Sequence, residues 1–87
     1  MIEKEVSLVK GEDRVQLRIE SETYQTPPAF GLPASGLITE YRVKVVRISE
    51  GESKVIKSIG PESSRARIEE TLAGVLKLYR ADHWKAL

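Results

Sequence analysis

The run from Arg14 to Ser21 constrains the fold of this chain more than any other segment. Val15, Leu17 and Ile19 alternate with Arg14, Gln16, Arg18 and Glu20. Successive side chains of a strand point to opposite faces, so this alternation describes a half-buried antiparallel strand with one apolar and one charged side. Such a strand needs a hydrogen-bonded neighbour and a cover over its apolar face.

The neighbours come from the flanking segments. Ile2 to Val9 reads as a first strand, with Val6 and Leu8 on one face and Glu5, Ser7 and Val9 on the other. The polar turn Lys10-Gly11-Glu12-Asp13 closes the two into a hairpin. Residues 38–49 supply another strand, in which Tyr41, Val43 and Val45 share a face opposite Arg42 and Lys44. The order Val46-Arg47-Ile48 breaks that alternation and predicts a bulge or a strong twist near Val46. Glu50-Gly51-Glu52 is the next turn, and 53–59 is a fourth strand carrying Val55, Ile56 and Ile59.

The cover comes from the C-terminal third. Gly60-Pro61 is expected to open a helix over 61–80, because proline suits the first helical position and Glu62 complements the positive helix end. Ile68, Leu72, Val75, Leu76 and Tyr79 recur at helical spacing as one stripe. Arg65 with Glu69, and Arg67 with Glu70, can bridge on the solvent side. A helix running on to residue 86 is compatible with the same pattern, as is a further last turn through Leu87 capped by Asp82. The expected fold is α+β: a single domain over 1–87, a twisted four-stranded antiparallel sheet with the helix packed on one face. The core should draw on Val6, Leu8, Val15, Leu17, Ile19, Tyr41, Val43 and Val45 together with the helix stripe.

Composition narrows the function classes. Fourteen Lys+Arg against thirteen Asp+Glu leave a formal net charge of +1, so no whole-molecule field draws in nucleic acid or anionic lipid. There is no cysteine, hence no disulfide framework and no thiolate metal site. The mixed-charge start Met1-Ile2-Glu3-Lys4-Glu5 has no apolar leader core, and no apolar run approaches the roughly 20 residues of a membrane span. The expectation is a cytoplasmic protein without a cofactor.

Catalytic patterns are sparse. The only histidine, His83, follows Asp82, and adjacent helical residues point about 100° apart, so the pair is no dyad by adjacency alone. Glu69 and Glu70 diverge in the same way. Gly60-Pro61-Glu62-Ser63-Ser64-Arg65 has hydroxyls and a guanidinium near a helix start, but it lacks the glycine spacing of a phosphate loop and Glu62 repels an anion. No catalytic or metal-binding residue is assigned.

Two binding surfaces are expected instead. Residues 22–37 carry three prolines and two glycines, which reads as a long loop. Its Tyr24, Phe30 and Leu32 are too apolar for a spacer, while Leu78, Trp84 and Leu87 fall outside the helix stripe. Gly74 in mid-helix suits a close backbone approach by another chain. These residues together suggest a non-enzymatic assembly module, a homodimer or a partner of another protein. The alternative is single-stranded nucleic-acid binding by Arg14, Arg18, Arg42, Lys44 and Lys57 on the outer sheet face, although Glu3, Glu5, Glu20 and Glu40 interleave there. Four antiparallel strands followed by a helix resembles, in topology alone, the half-unit of whirly-type and Pur-type single-stranded-DNA-binding proteins.

Overall fold

Alternating strands favour pairing between neighbours in sequence, and in the computed structural model, which describes residues 1–25 and 36–87, the first four strands pair that way. The strands are β1 (Ile2–Lys10), β2 (Asp13–Gln25), β3 (Leu37–Ser49) and β4 (Glu52–Glu62), followed by the helix α1 (Arg65–Ala81) and a two-residue β5 (Lys85–Ala86). The sheet order is β4-β3-β2-β1-β5, antiparallel throughout. An α+β fold with a helix on one sheet face is therefore established.

Register explains which face is apolar. Leu17 lies opposite Val6 and Val45, Ile19 opposite Val43, and Val43 opposite Ile59. Residues directly across a ladder share a face, so these side chains form one apolar surface. Helix residues Ile68 and Leu72 close over it, with Val75, Leu76, Tyr79, Tyr41 and Trp84 packed around the rim. Every core position expected from the alternation and the stripe lies in this cluster or against it.

The boundaries differ from expectation in four places. First, residues 22–25 and 37, expected within a loop over 22–37, lie in strands. β2 runs on through Gln25 and β3 begins at Leu37, paired Glu22 with Glu40, Thr23 with Thr39, Tyr24 with Ile38 and Gln25 with Leu37. Second, the helix opens at Arg65 and not at Pro61. Ser64 is its N-cap, accepting from the Arg67 backbone N–H at 3.4 Å. Gly60 and Pro61 belong to β4, where one extra residue between Ile59 and Glu62 makes a bulge; proline is tolerated because β4 is an edge strand.

Third, the irregularity near Val46 sits on β4. Val45 and Val46 face Lys57 and Val55, leaving Ile56 as the extra residue, while β3 keeps an unbroken register with β2. Val46 is thus on the face away from the helix, opposite Gln16 and Val55, and is buried there. Fourth, the helix does not continue to residue 86. Asp82 caps it, and His83 takes a left-handed backbone (φ 68°) that turns the chain back. Trp84 donates its backbone N–H to the Tyr79 carbonyl at 3.1 Å, and Lys85–Ala86 then pair with β1.

Candidate functional site

The segments examined for catalysis are occupied by structural bonds. At the helix start, the Ser64 hydroxyl accepts from Arg67, a Glu62 carboxylate oxygen accepts from the Ser64 N–H at 3.1 Å, and Arg65 lies 3.7 Å from both Glu3 and Glu69. At the helix end, Asp82 pairs with Lys10 at 3.2 Å and His83 serves the turn. Among the described residues no group of three or more His, Cys, Asp or Glu is placed to hold a metal ion. No described helix is long and apolar enough to cross a membrane.

The outer sheet face gathers the basic residues expected there, but not alone. Arg18 lies 3.6 Å from Glu5 and donates to Gln16 at 2.6 Å. The Lys44 ammonium sits against the buried Oε2 of Glu20, and Arg42 lies 4.0 Å from Glu40. By register Arg14, Arg18, Arg42 and Lys44 share this face with Glu5, Glu20, Glu22 and Glu40. Two residues fall on the other side. Lys57 lies opposite Val45, on the helix side. Glu3 is the extra residue of a β1 bulge and reaches Ser21 and Arg65 instead. A shallow groove of about 270 Å³ crosses the outer face between Glu20, Glu22, Glu40, Arg42 and Lys44, lined by both signs of charge.

Past Ser21 and Tyr41 neither β1 nor β4 accompanies the central strands, so β2 and β3 continue as a two-stranded arm. Its pairs are held by a hydroxyl contact between Thr23 and Thr39 at 3.0 Å and by the Tyr24 hydroxyl donating to Glu40 at 2.6 Å. That bond to Glu40 raises the Tyr24 pKa above its ordinary value; Glu22 acts in the same direction and Arg42 opposes it. Leu37 is 75% exposed, and Tyr24 and Ile38 are also exposed. Phe30 and Leu32 lie outside the described residues.

The third surface surrounds the helix end. Trp84 does not project past the sheet; it packs against the core, edge-on to Tyr79 with ring centroids 5.5 Å apart. Leu78 and Leu87 stay exposed at 72% and 71%. A crevice of about 200 Å³ is lined by Val15, Ile56, Tyr79 and Trp84, with the Asp13–Arg47 ion pair (3.4 Å) at its edge, and Tyr79 also lines a separate depression with Leu78 and Asp82. Ile56 was not foreseen as a surface residue. Its signal is the consecutive pair Val55-Ile56, which breaks the alternation and leaves both side chains 50% exposed on the edge strand.

Comparison of the chain with protein-family models, curated proteins and solved structures finds no match in any of the three. Any functional reading of this chain rests on these three surfaces.

Proposed function

We propose that this chain is a non-enzymatic assembly module that associates with a second copy of itself. The observation carrying this reading is its shape. A compact chain of 87 residues has a radius of gyration of about 12 Å, whereas this chain has 16.1 Å and extends over 57 × 26 × 16 Å. A monomer of 9.8 kDa exposes about 5,200 Å², whereas this one exposes 6364 Å². The chain is therefore elongated and exposes more surface than a compact monomer of its mass.

The arm strengthens the argument. A two-stranded ribbon is marginally stable alone in water, and this one carries exposed Tyr24, Leu37 and Ile38 away from the core. A second copy is the simplest partner to cover such surface, since closed two-fold dimers are the commonest assemblies. Sedimentation velocity across the micromolar range tests the reading: a concentration-dependent dimer supports it, and a monomer at high micromolar concentration overturns it. A variant joining Ser21 to Tyr41 through an Asn-Gly turn removes the arm while keeping the hairpin geometry. Weaker dimerisation of that variant would assign part of the interface to the arm.

Single-stranded nucleic acid on the outer sheet face is the competing reading. Its Arg18, Arg42 and Lys44 are matched by carboxylates within the same face, so phosphates bound there would have to displace existing ion pairs. Binding of a labelled oligonucleotide at low salt, falling steeply as salt rises and on neutralising Arg18 and Arg42, would reverse this order.

A further inference from the structure

Leu78 is an exposed apolar side chain, and the crevice on the helix side is an apolar hollow. Tyr79 connects them: it lines the crevice with Val15, Ile56 and Trp84, and it shares a second surface depression with Leu78 and Asp82. We propose that this is the self-association interface, with Leu78 of each copy seated in the crevice of the other. The proposal rests on the self-association reading above and names the surface that carries it.

Three features point to a second copy as the occupant. A two-fold interface sets one patch against itself, so each protrusion needs a matching hollow on the same patch. Leu78 is such a protrusion, and the crevice, about 200 Å³, admits one branched aliphatic side chain. The charges around the patch are also self-complementary. Lys10 and Arg47 stand beside Asp82 and Asp13, so apposition of two copies can bring opposite signs together, whereas a rim of one sign would repel itself. Finally, the hollow is walled by a tryptophan and a tyrosine, the residue types that most often anchor interfaces, and charged pairs surround the apolar centre.

Trp84 is the only tryptophan in the chain and therefore reports directly on the crevice. Its emission should shift to the red on dilution, in step with dissociation measured by sedimentation. Leu78→Asp should weaken self-association by about 30-fold or more, the effect of losing a strong interface anchor, while leaving far-UV circular dichroism unchanged because Leu78 is exposed; its urea midpoint should lose the concentration dependence that association gives the parent. Ile56→Glu should block the hollow with the same result. Mixing the two variants restores one of the two contacts, since the Ile56→Glu copy still offers Leu78 to the intact crevice of the Leu78→Asp copy. Partial recovery of dimer in the mixture supports the interlock. A parent dimer that persists unchanged in Leu78→Asp, with Trp84 emission unmoved, overturns this interface and leaves self-association standing. A parent chain that stays monomeric overturns both. Capture of Trp84 by a different protein, with no dimer at any concentration, also overturns the assignment to a second copy.

Discussion

Replacing glycine by alanine at three positions applies one chemical change to three different environments. At Gly60 the backbone φ is 123°, and a Cβ would stand 2.9 Å from the Tyr41 carbonyl oxygen and 3.3 Å from Arg42 Cγ. The arginine carbon belongs to a flexible side chain and can move, but the carbonyl is part of the β3 backbone. An L-residue held in a sparsely populated backbone region costs about 1–3 kcal/mol, and relieving the clash requires β4 to move from β3. Gly60→Ala should therefore destabilise by about 2–3 kcal/mol, the upper part of that range. At Gly11, φ is 62° and a Cβ meets nothing within 4 Å, so only the left-handed strain remains, about 1 kcal/mol. Gly74 lies in the helix with no positive φ and nothing within 4 Å, and alanine there should stabilise by about 0.5–1 kcal/mol through helix propensity. Urea unfolding followed by circular dichroism, with the slope checked for constancy, gives all three values on one scale. A Gly60→Ala change within about 0.5 kcal/mol of the parent, the range of an ordinary surface substitution, would refute the close approach of β4 to β3. So would an order in which Gly11 is costlier than Gly60.

Other perturbations address separate parts of the molecule. Leu72→Ala removes a side chain that is 2% exposed and should cost about 2–5 kcal/mol in urea unfolding; a cost below about 1 kcal/mol would mean that the helix does not close the core as described. Ser64→Ala deletes the N-cap acceptor and should cost about 1 kcal/mol, with Ser64→Gly nearer to neutral. Tyr24 should ionise above the ordinary tyrosine value of 10.0, chiefly because of its hydrogen bond to Glu40. The neutral phenol is the favoured form in the fold, so whatever this bond adds to stability is fully present below about pH 10 and is lost as pH rises through the raised value. Ultraviolet titration of the parent minus Tyr24→Phe measures it; Glu40→Ala should bring the titration down, and an unchanged curve would rule out the bond as its cause.

The parts of the fold that were readable in the sequence are those where one face is buried. Val15, Leu17 and Ile19 alternate because the helix lies over them, and Ile68, Leu72, Val75, Leu76 and Tyr79 share a stripe because they meet that same surface. Where both faces see solvent, or both are covered, the period disappears while the strand persists. Glu22-Thr23-Tyr24-Gln25 belongs to a ribbon with no core beneath it, so nothing selects apolar residues at alternate positions, and its pairing was hidden behind the neighbouring prolines. Val46 is the opposite case, a residue buried on the outer face directly after one buried on the inner face. The helix start was misplaced for another reason. Gly60-Pro61 suits a helix opening by its local chemistry, but the β3–β4 ladder reaches Glu62 and moves the cap to Ser64.

The same reasoning accounts for which parts of the candidate surfaces could be read. Exposure of Leu78 follows from helix geometry alone, since it lies off the stripe. The crevice does not. Its walls come from β2, β4, the last helical turn and the segment after it, and they meet only because Asp82 and His83 end the helix and return Trp84 to the sheet. Had the helix run on to residue 86, Trp84 would stand on an extended rod with no facing strand and the hollow would not exist. Ile56 reaches the same place through a one-residue insertion in β4, which brings it to the helix side next to Lys57. A helix stop and a strand bulge, each a local irregularity, thus build an apolar hollow on the helix side. Both are backbone events that leave no periodic trace. Substitutions that lengthen the helix through Asp82-His83 should therefore abolish self-association without touching Leu78, Ile56 or Trp84.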